Sequence, residues 1–277
     1  MNKRPNSKVN LDRAIQRIYG IAAKYVEIRS MIANTVVGQF LPEGVVKGGS
    51  ALRFRYGLED TRVTVDFDTA HRNRLDDFVA TLSSGLKAGW SDFSGEVVRR
   101  DPPSPRDIPP EYVMQPFDVK LRYCKQPWCT VRLEVGYDEI GDAQKAEEFI
   151  SPEIVDIFKT LCLEQPKPVP LMPLTHQVVQ KLHGLSEPGG SRAHDLVDLQ
   201  LIFAHGGVDL AETKRIAQRL FANRRRQTWP PVVAKGEEWD SLYEDAGRGL
   251  GVLPTCDEAV DWANELIASI DKADSVR

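Results

Sequence analysis

Long apolar runs are missing from this sequence. No stretch approaches the roughly 18 apolar residues that a bilayer-crossing helix needs. The opening MNKRPNSKVNLDRA is charged and polar, without the apolar core of a secretory signal. Cysteine is sparse and scattered: Cys124, Cys129, Cys162 and Cys256 form neither a Cys-x-x-Cys pair nor a zinc spacing, which argues for reduced thiols in a reducing compartment. His71, His176, His183, His194 and His205 show no zinc-like grouping either, so each is read as a packing or surface residue. Positive charge is not in excess. With 36 Lys plus Arg against 40 Asp plus Glu, only a local basic patch could recommend nucleic acid as a partner. Internal repeats and low-complexity tracts are absent as well. What remains is an ordinary globular chain of 277 residues with 42% apolar content, expected in the cytoplasm and off the membrane.

The pattern of elements predicts an α+β fold. Apolar positions at helical spacing between residues 11 and 40 (Ile15, Ile18, Ile21, Ala22, Val26, Ile28, Met31, Ile32) predict one long helix or two stacked ones. Val45–Lys47 reads as a short strand, followed by a Gly48-Gly49-Ser50 turn and a helix through Tyr56. Thr61–Asp68 alternates, with Val63, Val65 and Phe67 on one face and Thr64, Asp66 and Asp68 on the other. A helix near 75–87 and strands near 96–99, 118–123 and 130–137 follow, with the proline-rich DPPSPRDIPP as an exposed loop. After a helix near 154–163, the stretch EQPKPVPLMP reads as a stiff connector. Beyond it every segment reads helical: 175–185, 193–205, 209–225, about 239–248 and 257–272. The expectation is a mixed-sheet α/β lobe over residues 1–165 and a helical lobe over 166–277, with a cleft between them.

The stretch VVKGGSALRFRYGLEDTRVTVDFD, residues 45–68, carries the first chemical signal. Asp66 and Asp68 share a strand face, about 7 Å apart at the backbone, and repel unless a cation or base sits between them. Magnesium prefers hard carboxylate oxygens and completes its shell with water and substrate phosphates, so such a pair suits a nucleotide–metal complex. An exposed edge strand with solvated carboxylates would look the same. Gly48 and Gly49 let successive amides point at an anion, Ser50 adds a hydroxyl, and the following helix presents its positive end. In Thr130–Gly136, Val131, Leu133 and Val135 face the core while Arg132 and Glu134 face away, which makes Glu134 the candidate third carboxylate. A surface salt bridge to Arg132 is the alternative.

In THQVVQKLHGL, Val178, Leu182 and Leu185 form an apolar stripe, and Lys181 lies at its border, where a lysine can snorkel toward a cleft. SRAHDLVDLQLIF places Asp195 and Asp198 on one helix face beside Leu196, Leu199 and Phe203, with Arg192 at the helix start. These four charges could form an interhelical ion-pair network, or Lys181 could meet a triphosphate with the aspartates aiming it. ETKRIAQRLFANRRRQTW clusters Lys214, Arg215, Arg219, Arg224, Arg225 and Arg226 near Phe221 and Trp229. That cluster is expected to meet an RNA backbone; a solvated face or a protein-binding surface are its other readings.

Taken in order, KGGSALRFRYG, TVDFD, VRLEV, HQVVQKLHGL and SRAHDLVDLQLI resemble the AbiEii/AbiGii-type nucleotidyltransferase toxins, which are related to the MenT enzymes and the wider DNA polymerase β-like superfamily. The resemblance reaches from residue 47 to about residue 202. Two departures stand out: His194-Asp195 where the family often has Lys-Asp, and Val-Asp-Phe-Asp where Asp-Leu-Asp is more usual. The resemblance implies that Gly48, Gly49, Ser50 and Arg53 bind nucleotide, that Asp66, Asp68 and Glu134 hold two magnesium ions, and that Lys181 contacts the triphosphate. It also implies that Asp195 is needed for activity. A cognate antitoxin, a nucleoside triphosphate substrate and an RNA acceptor, the 3′ end of tRNA in characterised relatives, come with it. The last implies blocked translation or abortive infection. A phosphotransferase using the same pocket, and a nucleotide-binding module without turnover, are the competing readings.

Overall fold

The computed structural model describes residues 3–20, 23–102, 113–141 and 143–274. The proline-rich stretch read as a loop lies, from 103 to 112, outside the described residues, as do Ile21 and Ala22 of the opening helical stretch.

Two helices begin the chain, α1 (Lys8–Tyr19) and α2 (Ala23–Gly38). Ser7 caps α1, its Oγ accepting from the Asn10 amide, and Gly20 closes it with a φ of +85°. There follow β1 (Gly44–Val46), α3 (Gly48–Tyr56), β2 (Asp66–His71), α4 (Leu75–Ala88), β3 (Phe93–Arg99), β4 (Gln115–Tyr123), β5 (Gln126–Tyr137), β6 (Glu147–Phe149), α5 (Pro152–Thr160) and β7 (Val169–Leu171). The strands join one mixed sheet in the order β3-β4-β5-β2-β1-β7-β6. Pairing is antiparallel except for β2 with β5 and β1 with β7. The α+β class is as the sequence predicts.

Strict alternation explains β4 and β5. Phe117, Val119, Leu121 and Tyr123 on β4, and Val131, Leu133 and Val135 on β5, enter one apolar core with Phe54, Phe67, Ile28 and Ile32. Each large side chain so buried contributes about 1.5–3 kcal/mol. The residues between them stay at the surface or half-buried.

Two expectations are corrected. The strand read over 61–68 begins only at Asp66, where β5 first offers a partner in Arg132; Val63 and Val65 precede it and are 62% and 73% exposed rather than in the core. The proline-rich connector is part of the sheet, because Val169–Leu171 forms β7 between β1 and β6. Proline density masks so short a strand, and β6 carries no alternation that would announce it.

The chain divides into two compact units. The first gathers the described residues of Met1–Leu58, Val63–Asp138 and Ala143–Leu171 and contains the sheet. The second gathers the described residues of Met172–Arg277 with those of the short stretches Glu59–Arg62 and Glu139–Asp142. Its helices are α6 (Leu174–Leu185), α7 (His194–His205), α8 (Leu210–Arg224), α9 (Trp239–Gly247) and α10 (Cys256–Lys272). Asp209 caps α8, and Thr255 with Glu258 forms a capping box at α10. No helix among the described residues is long and apolar enough to cross a membrane.

Candidate active site

The Gly-Gly-Ser segment is the first turn of α3, not a turn ahead of it. The Lys47 amide donates to the Asp68 carbonyl at 2.9 Å, which seats the start of α3 against β2. Gly48 holds a φ of +64°, and a Cβ placed on it would lie 2.4 Å from Asp68 Oδ2. Only glycine satisfies both conditions. Ser50 is buried, and its hydroxyl donates to the Asp66 carbonyl at 2.7 Å, so it fastens the helix to the strand that carries the aspartates. The first amides of a helix lack intrahelical acceptors and sit at its positive end. The sequence thus brings an anion-receptive helix start and a carboxylate pair to one place.

Parallel pairing of β2 with β5 sets Asp68 directly beside Glu134 and Asp66 directly beside Arg132. Neighbouring strands lie about 4.8 Å apart, so Asp68 and Glu134 are lateral neighbours on one face. The Glu134 carboxyl is pushed above the ordinary glutamate range by burial first, then by Asp68 and Asp66; Lys47 and Arg100 pull it down. Neither cation was singled out in the sequence. Lys47 has a local signal, its place just before Gly48, and its Nζ packs within 3.0 Å of where a Gly136 Cβ would be. Arg100 ion-pairs with Asp118 of β4 at 3.6 Å, a contact that no local pattern reveals.

These carboxylates suit magnesium in one specific sense. Among the described residues no three His, Cys, Asp or Glu side chains converge into a ready cage. Magnesium is held by one or two carboxylates together with water and substrate phosphates, which is what a repelling Asp66–Asp68 pair beside Glu134 can offer.

In the second unit, α6 buries nearly every residue from Gln177 to Leu185, so Lys181 does not snorkel; it is 4% exposed. Its Nζ donates to Asp195 Oδ1 at 2.8 Å and to Asp198 Oδ2 at 2.6 Å. Arg192 Nε donates to Asp195 Oδ2 at 2.6 Å, and Arg62 donates through Nε and Nη2 to the two oxygens of Asp198, each at 2.9 Å. Burial by itself would raise both carboxyls. The Lys181 ammonium, with Arg192 at Asp195 and Arg62 at Asp198, holds them below the usual aspartate range instead. Three cations face two carboxylates, leaving a surplus positive charge. Arg62 escaped the sequence reading because its partner lies 136 positions away.

Other expected residues are placed differently. Arg53, expected at the nucleotide, is buried, and its Nη2 donates to Glu27 of α2 at 2.5 Å. The α8 cluster is largely neutralised. Arg224 forms a two-point pair with Glu139, Arg226 bonds Glu187 Oε1 at 2.5 Å, Arg219 Nη2 donates to the Ile140 carbonyl at 2.8 Å, and Arg215 pairs with Glu212. Arg225, left-handed at the end of α8, is exposed.

A family model described as nucleotidyl transferase AbiEii toxin, type IV toxin–antitoxin system, matches residues 33–266. No curated protein matches the chain. Among solved structures, the MenT4 nucleotidyltransferase toxin of Mycobacterium tuberculosis is similar with a TM-score of 0.58 at 17% identity, over 97% of this chain and 91% of that one. JHP933 of Helicobacter pylori (TM-score 0.48, 15% identity, 91% of this chain and 94% of that one) is also similar. So is a second H. pylori protein, described as a nucleotidyltransferase (TM-score 0.46, 14% identity, 91% of this chain and 96% of that one). At these identities the likeness concerns the fold.

Proposed function

The chain belongs to the AbiEii family of nucleotidyltransferase toxins of toxin–antitoxin systems, and from that premise we propose that it transfers a nucleoside monophosphate from a triphosphate to the 3′ end of an RNA, with tRNA as the acceptor class. A modified 3′ end would block aminoacylation and halt translation, and a cognate antitoxin would restrain the enzyme. The observation that carries this reading is the side-by-side placement of Asp68 and Glu134 beside Asp66, at the strand seated against the start of α3.

In the proposed reaction an acceptor hydroxyl oxygen bonds the α-phosphorus while the bond from that phosphorus to pyrophosphate breaks, and the hydroxyl proton is released to solvent. The amides of Gly48, Gly49 and Ser50 would receive phosphate oxygens, and Asp66 and Asp68, with Glu134, would hold magnesium. Magnesium, when bound, makes the hydroxyl more acidic and offsets the charge of the departing pyrophosphate. Lys181 and Asp195 serve activity through the charged network of the second unit, in which each holds the other in its charged form; Arg53 is read as a brace for α3 through Glu27. Positioning and charge do the work in such transfers, so one lost metal-holding carboxylate costs several powers of ten in rate.

The test incubates the protein with magnesium, total RNA and each α-labelled triphosphate in turn. Labelled RNA and released pyrophosphate are expected from wild type, and Asp66→Ala should stay folded by circular dichroism yet label nothing. Release of nucleoside diphosphate instead would assign phosphoryl transfer, and undiminished labelling by Asp66→Ala would remove that residue from the chemistry.

A further inference from the structure

An acceptor RNA has to bring a polyanion to a cluster of carboxylates, and cations near that cluster must offset the repulsion. The α8 arginines are poorly suited, since Arg219, Arg224 and Arg226 are already engaged within the second unit. The first unit carries a different set. On β4 the side chains opposite the core are Asp118, Lys120 and Arg122; on β5 they are Thr130, Arg132 and Glu134. Lys120, Arg122 and Arg132 are exposed, and among the described residues none of the three has an ion-pair partner.

Their placement is fixed by the sheet. Arg132 lies in register between Asp118 of β4 and Asp66 of β2, yet bonds neither. Lys120 pairs in register with Thr130, one step along the same face, and Arg122 is the next outward residue on β4. Arg100, Lys120, Arg122 and Arg132 stand on this face among Glu96, Asp118, Glu134 and Asp66, and of these four cations only Arg100 has an ion-pair partner among the described residues. An arginine fork left unpaired between two aspartates is held ready for an anion from outside, and guanidinium suits phosphate oxygens.

We infer that the solvent face of β4 and β5, through Lys120, Arg122 and Arg132, is the docking surface for the backbone of the acceptor RNA and leads its 3′ end to Asp66 and Asp68. The inference rests on the proposed nucleotidyl transfer to RNA. Continuity with the carboxylates is what favours RNA over an acidic polypeptide, since Arg132 is the register neighbour of Asp66 itself.

The experiment measures binding of a single-stranded RNA 3′ end to wild type and to a Lys120→Gln/Arg122→Gln variant over a range of salt, beside the labelling assay. Each phosphate contact contributes about 0.7 to the slope of log affinity against log salt, so the double variant should be shallower by about 1.4 and Arg122→Gln alone by about 0.7. Both should keep the wild-type circular dichroism spectrum, because these side chains pack against nothing in the core. An unchanged slope in the double variant, while wild type still labels RNA, would overturn the docking surface and leave the function standing. The docking surface is overturned equally if the variants lose binding to polyglutamate but not to RNA. Wild type that labels no RNA with any triphosphate would overturn the function itself.

Discussion

The Asp68 carboxylate fills the space that a side chain on Gly48 would need: Oδ2 stands 2.4 Å from the Cβ position, and Gly48 itself sits at a φ of +64°. Gly48→Ala therefore has to twist the first turn of α3 or push Asp68 off the face it shares with Glu134. The left-handed strain costs about 1–2 kcal/mol. Displacing Asp68 should lower nucleotidyl transfer at least ~100-fold. A thermal melt beside the labelling assay separates the two effects, and transfer at the wild-type rate would mean that Asp68 need not stay where it is.

Like charges at Asp66, Asp68 and Glu134 make the cation-free protein less stable than it could be. Glu134→Gln removes one charge from a carboxyl that burial and both aspartates already push upward, so the melting temperature in chelator should rise. Magnesium should stabilise wild type by about 2.7 kcal/mol at a hundredfold excess over its Kd, raising its melting temperature, and do little for Asp66→Asn/Asp68→Asn. Equal stabilisation of both proteins by magnesium would place its site elsewhere.

Lys181 is a structural residue as well as a candidate for the chemistry. Lys181→Met strands Asp195 and Asp198 in the interior, and removing one partner of a buried ion pair costs about 3–5 kcal/mol. Arg192→Ala should cost far less, because its side chain is about half exposed and Lys181 still holds Asp195. Chemical denaturation of the two variants checks the order, and activity lost in Lys181→Met is informative only under conditions where the variant remains folded.

Acid should weaken the fold through His183. Burial, and then Arg224, hold its imidazole down to about 4 from the ordinary 6.5. The unfolded chain binds this proton below about 6.5 and the folded protein only below about 4, so stability present at neutral pH is lost as pH falls through that window. The loss approaches about 1.4 kcal/mol per pH unit. His183→Gln should flatten this part of a stability-against-pH curve; an unaltered slope would mean that His183 takes its proton in the folded state too. Asp195 and Asp198 act at lower pH, their stabilisation being present above the ordinary aspartate pKa and lost as pH drops below it toward their depressed folded values.

Much of the architecture was legible from the sequence because it is written in short spacings. The outward and inward residues of β5 follow from alternation in VRLEV, and α6 to α10 follow from helical spacing. The carboxylates were legible for the same reason, since Asp66 and Asp68 are two residues apart and so share a face. The start of β2, the strand inside a proline-rich connector, Arg53 turned to Glu27 and Arg62 bound to Asp198 were not. Each depends on a partner distant in sequence, up to the 136 positions separating Arg62 from Asp198. Backbone geometry limits which neighbours a residue meets within a turn or a strand, whereas which cation meets which carboxylate, and which strand finds a partner, is decided only when remote segments are packed together. By itself the sequence determined the elements and the chemical types on their faces; the tertiary structure decided which of those charges are consumed by one another and which remain exposed on the sheet.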